Sequence, residues 1–391
     1  MPLELKQSEA SALAEYFAGR EGEVLSLMRA LVETESPSGD LEGNAAVVSL
    51  LAKAARTVGV ETEVRLESDA EYGSHLLIHA FGDGRNSDAP TTLILGHTDT
   101  VHPRGSIKAR PWREDDGRVY GPGIFDMKAN CALALESLRA CATLNLQPSH
   151  PVVILLTCDE EVGSQSGRAL VEAESRRAAH VLVFEPSAPG GRAKTARKGT
   201  SGYTVRAEGV AAHAGLDPEK GASAILEIAR QIERLHTFND AARGVNVNAG
   251  VVSGGTRSNV VAAEAWTEVD VRFSTMGDAL RVEEAFLNLR AFDERVKLSV
   301  EGGINRPPLE RSETVVALYE HAQRIASVLG FELGEASVGG ASDGNFAAAV
   351  GATVLDGLGI AGDGAHASHE HIIRGDIARR GALLAGLLVT L

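Results

Sequence analysis

The chain has 391 residues, 44% of them hydrophobic and 23% charged, with 42 Gly, three Cys and a formal net charge of −15. At roughly 100–200 residues per domain this length suggests two domains or three, and the composition excludes a disordered or collagen-like chain. So acidic a chain, with no basic run, no apolar stretch near the roughly 20 residues that span a bilayer and no secretory signal at its start, is expected to be cytoplasmic and to bind neither nucleic acid nor membrane.

In chain order, residues 11–32 carry a helical apolar period that SPSGD at 36–40 ends. A second helix is predicted over 44–58, closed by Gly59. Strand signals follow at 61–66 and 75–80. TTLIL at 91–95, VVILLT at 152–157 and HVLVF at 180–184 are short apolar runs without strict alternation, the signature of strands covered on both faces. Helical patterns at 127–144 and 167–175 separate them, a rhythm that predicts a mixed, largely parallel sheet flanked by helices. The rhythm changes near residue 199. An alternating strand at 202–208 opens a strand–helix–strand–strand–helix–strand order that runs to about 301, as in a split βαβ sandwich. A helix from about 311, a strand near 353–355 and a helix at 376–390 return to the first pattern. Residues 1–198 and 310–391 therefore read as one discontinuous α/β domain, with an α+β domain inserted at 199–309.

The residues that carry chemistry lie just past the buried strands, where ligands sit in open α/β sheets. His97 and Asp99 follow TTLIL in GHTDTV, Asp126 lies in YGPGIFDMK, Glu160 and Glu161 follow VVILLT in CDEEVGS, and Glu185 ends HVLVF in FEP. The loop AHASHEHI adds His366, His369 and His371. Three cysteines, Cys131, Cys141 and Cys158, exclude a disulfide framework and a thiolate zinc cluster. Imidazole with carboxylate suits Zn²⁺ or a similar divalent ion. Several carboxylates at one rim would repel, and two cations turn that repulsion into binding while acidifying a bridging water. In H-x-D, His97 can bind through one ring nitrogen while Asp99 orients the ring.

GHTDTV, GRVYGPGIFDMK, TCDEEVGS, FEPS, AAHAG, GTRSNVV, EVDVRF, GGASDGN and AHASHE, in this order over nearly the whole chain, resemble the M20 family of zinc metallopeptidases, and within it the glutamate carboxypeptidase branch. The resemblance implies a catalytic α/β domain bearing an inserted ferredoxin-like lid that also makes a homodimer. It implies two Zn²⁺ per chain, with Asp126 bridging, His97 and Glu185 on one ion, and Glu161 with a C-terminal His on the other. The family pattern H-S-x-x-E-x-[VI] selects His366, although Ala367 replaces the usual Ser. Glu160 would be the general base that relays a proton from water to the leaving amine, and Asp99 would support His97. The Asp126–Met127 peptide would be cis.

From the lid the resemblance takes His213, reaching a neighbouring subunit's site as an oxyanion donor, and Asn259, holding the substrate carboxylate or the oxyanion. Arg272 and Arg306 would stand near the substrate, since guanidinium matches carboxylate bidentately, and Gly340 would let backbone approach it. Each has a plainer reading: a capping His, a turn Asn, an ion pair within the sheet for Arg272, an anchor before two prolines for Arg306. The implied substrate is a small peptide or N-acyl amino acid cleaved at the amide next to a C-terminal, glutamate-like residue. An N-acyl-amino-acid deacylase or dipeptidase fits the same motifs. A non-catalytic binding protein fits poorly, because Glu160 and every candidate ligand are present.

Overall fold

A computed structural model describes residues 3–82 and 89–391. Two compact units are present: Met1–Ala196, Arg311–Val338 and Ser342–Leu391 form the first, and Arg197–Glu310 with Gly339–Ala341 the second. In chain order the elements begin with helices α1 (Gln7–Gly19), α2 (Glu21–Glu33) and α3 (Leu41–Ala55) and strands β1 (Thr62–Asp69), β2 (Gly73–Ala80) and β3 (Thr91–His97). The short helix α4 (Ser106–Ala109), the hairpin β4 (Arg113–Asp115) and β5 (Arg118–Tyr120), helix α5 (Ala129–Thr143), β6 (Val152–Thr157), α6 (Arg168–Arg177), β7 (Ala178–Val183) and β8 (Ala193–Arg197) follow. Then come β9 (Gly199–Glu208), α7 (Ala224–His236), β10 (Asn246–Gly254), β11 (Glu264–Phe273), α8 (Met276–Leu287) and β12 (Lys297–Arg306). The chain closes with α9 (Glu313–Val328), β13 (Glu335–Val338), α10 (Gly344–Ala349), β14 (Val354–Leu355), β15 (Gly362–Asp363), β16 (His371–Ile373) and α11 (Ile377–Thr390).

The main sheet of the first unit has the order β1-β2-β6-β3-β7-β14. The pairs β6–β3, β3–β7 and β7–β14 are parallel, and β1–β2 and β2–β6 antiparallel. Helices cover both faces, so β3 and β6 are buried along their whole length, which is why their sequences are apolar without alternation. Because β3, β6 and β7 run parallel, with His97 opposite Thr157 and Leu95 opposite Val183, their carboxyl ends reach one level. That register delivers 97–99, 158–161 and 184–185 to the same edge.

Two local expectations are corrected. The single helix over 11–32 is two, because the backbone leaves helical geometry at Arg20. There the Arg20 Nε donates to buried Glu136 on α5, 3.0 Å away, and Tyr16 Oη donates to the same carboxylate at 2.7 Å. Helix α3 starts earlier than 44, because the Asp40 side chain accepts from Gly43 N and caps it.

The second unit is an antiparallel sheet of order β10-β11-β9-β12 with α7 and α8 on one face. Tyr203, Val205, Val269 and Val271 point toward the helices and pack with Ile228, Val282 and Phe286. The residues between them face the other way, which explains the alternation of β9 and β11. Gly339–Ala341, expected with the first domain, lies with this unit because Arg197 Nη1 donates to the carbonyls of Gly340 (3.1 Å) and Ala341 (3.2 Å). Among the described residues no helix is long and apolar enough to cross a membrane.

Candidate metal centre

Five residues meet in two triads that share one carboxylate. His97 Nε2, at the end of β3, lies 3.1 Å from Asp126 Oδ1 and 3.5 Å from Glu185 Oε1. His366 Nε2 lies 3.0 Å from Glu161 Oε2 and 3.4 Å from Asp126 Oδ2. Within each triad the donor atoms are all within 4.8 Å of one another, and Asp126 belongs to both, one oxygen to each imidazole. Asp126 sits in the turn Ile124–Lys128 that leads into α5, and its peptide bond to Met127 is cis. Of the three histidines in the C-terminal loop, His366 is the one in the triad. His369 is exposed, and His371 faces the Tyr120 ring at 5.1 Å. His366 has φ 64°, a left-handed conformation that costs non-glycine residues on the order of 1–2 kcal/mol.

Asp99 lies behind His97 and faces neither triad. The His97 Nδ1 donates to the Asp99 carbonyl at 3.0 Å and lies 3.3 Å from Oδ1, which leaves Nε2 directed at Asp126 and Glu185. The Asp99 carboxylate accepts from Ser38 Oγ (2.6 Å) and from the backbone N–H groups of Glu160 (3.3 Å) and Glu161 (3.2 Å). One carboxylate therefore orients the imidazole and the short helical turn Glu160–Val162 together. The sequence gives Ser38 no signal of this role beyond SPSGD, which reads as a helix stop.

The electrostatics follow from this crowding. Burial opposes a charged His97, but its hydrogen bonds to Asp126 and Asp99 and the nearby Glu185 hold its pKa well above the usual histidine range. Burial would raise the Asp126 pKa, yet the bonds to His366 and His97 depress it. His366 is raised to about 10 by its bonds to Asp126 and Glu161. Close by, the buried Lys128 is pushed down to about 8 by desolvation, and its Nζ donates to Thr34 O at 2.6 Å. Glu161 Oε1 is buried with no hydrogen-bond partner. An orphaned carboxylate oxygen beside an all-oxygen-and-imidazole donor set fits a divalent cation such as zinc.

A third cluster, His75, Cys158 and Asp159, is also close enough for metal. Its hydrogen bonds argue otherwise. Cys158 N–H donates to His75 Nδ1 (3.2 Å), so Nε2 carries the hydrogen and donates to Ser166 Oγ (3.0 Å), whose hydroxyl donates to Asp159 Oδ2 (2.8 Å). Both ring nitrogens are committed, and the chain of bonds braces the loop that carries Glu160 and Glu161. Burial pushes the Cys158 thiol up, away from thiolate.

The remaining predicted residues belong to the second unit. His213 is exposed; its Nδ1 accepts from Gly215 N and Leu216 N, both at 3.1 Å, which leaves Nε2 carrying a hydrogen. Asn259 is exposed on the segment bridged to it, through Ala214 N to Asn259 O and the His213–Val260 pairing. Arg272 on β11 and Arg306 on β12 both lie opposite Thr200 of β9, so the two arginines share one level of the sheet, on the face away from the helices. Arg272 donates to Asp270 of its own strand (2.9 Å), and Arg306 is buried. A Cβ on Gly340 would meet only Arg197 Nη1, at 4.0 Å, so nothing within the chain demands glycine there.

Residues 93–390 match the profile described as Peptidase family M20/M25/M40. Carboxypeptidase G2 of Pseudomonas sp. (strain RS-16) is 29% identical over 99% of this chain and 94% of its own length. Succinyl-diaminopimelate desuccinylase of Alkalilimnicola ehrlichii is 28% identical over 94% of this chain and 98% of its own. The crystal structure of aminopeptidase PepT from Bacillus cereus ATCC 10987 shares the fold, with TM-score 0.75 at 22% identity over 94% of this chain and 98% of that one. The chain belongs to peptidase family M20/M25/M40 and is a metal-dependent hydrolase.

With its pKa at about 10, the His366 imidazole is protonated at neutral pH when only carboxylates face it. That pairing stabilises the fold fully below the usual value of 6.5, and the contribution is lost as pH rises through about 10. A cation that takes Nε2 must displace the proton. Zinc uptake at pH 7 is therefore expected to release protons and to tighten as pH rises. Calorimetry in buffers of different ionisation enthalpy measures the release, and proton-neutral uptake would contradict it.

Proposed function

We propose, from its family membership, that this chain is a dinuclear zinc amidohydrolase that cleaves the amide next to a C-terminal, glutamate-like residue. The observation that carries the dinuclear reading is Asp126, whose two oxygens face His97 and His366 separately. In this reading His97 and Glu185 hold one ion, Glu161 and His366 the other, and Asp126 both. Bound zinc supplies Lewis-acid polarisation of the carbonyl and acidifies the attacking water.

The chain's own residues do the rest. Glu160, buried at the head of its turn and no member of either triad, takes the proton from the water and hands it to the leaving amine. Asp99 keeps the His97 ring in the tautomer that leaves Nε2 directed at the site. His213 of a second subunit donates to the developing oxyanion, a role its Nε2–H suits, with Asn259 beside it. Arg272 and Arg306 bind the substrate carboxylate, with Gly340 giving backbone access; their shared level on the sheet supports a common anionic target. The inserted unit thus serves as lid and as the contact of a homodimer, in a cytoplasmic enzyme.

The carboxypeptidase reading draws on the likeness to carboxypeptidase G2 over 99% of the chain. The desuccinylase likeness, 28% over 94%, favours the runner-up, an N-acyl-amino-acid deacylase. Three measurements test the proposal. Glu160→Gln is expected to retain its metal and lose about 10²–10⁴-fold in kcat, the usual worth of a general base, and near-parental kcat would remove Glu160 from that role. In a panel of N-acyl-glutamates, N-acetyl and N-succinyl diamino acids and dipeptides, the N-acyl-glutamates are expected to give the highest kcat/KM. A higher value for the diamino acids would instead establish the deacylase. Sedimentation is expected to show a dimer, and a monomer with full activity would exclude His213 acting from a second subunit.

A further inference from the structure

We infer that Glu370 is the positioning residue for Asp126, with His102 and Arg110 completing the support; this rests on the dinuclear reading above. Glu370 lies four residues beyond His366 and is 2% exposed. An acid so close to a metal ligand invites assignment as another ligand. Its bonds rule that out. Its Oε1 accepts from the backbone N–H of Phe125 (2.9 Å) and of Asp126 itself (3.0 Å), and its Oε2 from Gly123 N–H (2.8 Å). The fourth bond comes from His102 Nε2, 2.6 Å from Oε2.

The direction of that fourth bond is set from outside. Arg110 Nη2 lies 3.1 Å from His102 Nδ1, and a guanidinium can only donate. Nδ1 therefore accepts, Nε2 carries the hydrogen, and Glu370 receives it. A carboxylate has about four lone-pair sites, and Glu370 has filled them with N–H donors. It has nothing left for a cation, in contrast to Glu161, whose Oε1 has no partner.

What Glu370 grips is the turn that presents Asp126. Gly123 adopts φ 72°, which swings its amide into line with Phe125 and Asp126, and the three N–H groups converge on one carboxylate. The other end of the cluster holds the second imidazole: Arg110 Nη1 donates to Ala367 O, at 3.1 Å, directly after His366. β16, which follows Glu370, pairs with β5, which precedes the turn, His371 opposite Tyr120. Arg110, His102 and Glu370 thus fix the spacing between the two residues that share the second triad with Glu161.

The test uses the full-length protein and zinc, read by competition with a chromophoric chelator. In Glu370→Gln an amide NH₂ meets N–H donors, and zinc affinity is expected to fall by about 10–100-fold, the usual cost of removing a group that orients ligands. Arg110→Ala, at a half-buried position, is expected to fold and to show a smaller loss in the same direction. Glu136→Gln is the comparison for simple destabilisation, because Glu136 is another buried carboxylate of the same unit, accepting from Tyr16, Arg20 and Arg139. It is expected to lower the melting temperature and leave zinc affinity unchanged. If Glu370→Gln or Arg110→Ala binds zinc like the parent, or if Glu136→Gln weakens zinc as much as Glu370→Gln, the positioning role is overturned while the zinc reading stands. A parent protein that takes up no zinc overturns both.

Discussion

Five carboxylates, Asp99, Asp126, Glu160, Glu161 and Glu185, and the imidazoles of His97 and His366 converge on one site, and most of the local architecture answers the repulsion this creates. Two like charges 4 Å apart repel by about 4 kcal/mol at an effective dielectric near 20, so the acids cannot simply be packed together. The first unit deals with them in two ways. Some carboxylates are saturated with backbone and side-chain donors, as Asp99 is by Ser38 and the amides of Glu160 and Glu161. Asp126, Glu161 and Glu185 instead face imidazole, and protons or cations relieve the repulsion among them. In the proposed dinuclear reading, that division is one between framework and ligand.

The main sheet sets the coarse geometry and these saturated acids the fine geometry. Parallel pairing of β6, β3 and β7 brings three strand ends to one level, but a strand end fixes only a Cα position. Side-chain direction is then set by hydrogen bonds between segments far apart in sequence. Asp99 joins the end of β3 to the turn after β6, and Glu370 joins the turn before α5 to the C-terminal loop. The His75–Ser166–Asp159 relay closes the far side of the Glu160–Glu161 loop. None of these bracing groups belongs to either of the two triads.

The legibility of the chain in sequence follows the same line. The apolar runs TTLIL, VVILLT and HVLVF and the polar residues just after them are local signals, and they lead to His97, Glu161 and Glu185; Asp126 and His366, the other two members of the triads, are marked by the short motifs FDMK and AHASHE. The alternation in β9 and β11 is equally local and marks the antiparallel sheet of the second unit. The break at Arg20 was not legible, because its cause is Glu136, 116 residues away. The place of Gly339–Ala341 was not legible either, because it depends on the Arg197 guanidinium. Ser38 and His102 look ordinary in sequence, since their partners, Asp99 and Glu370, lie 61 and 268 residues distant. Local pattern identifies what a segment is; it carries no record of which distant group will hold it.

The grip of Glu370 on Asp126 spans 244 residues, and this has a consequence for how the centre comes into being on the ribosome. At about 5–20 residues per second, on the order of 10–50 s separate the synthesis of one from the other. The residues of the His97, Asp126 and Glu185 triad have all been synthesised once Glu185 is made. The triad of Asp126, Glu161 and His366 has to await nearly the whole polypeptide. Through that interval the amides of Gly123, Phe125 and Asp126 lack their acceptor, and the two halves of the centre have different ages.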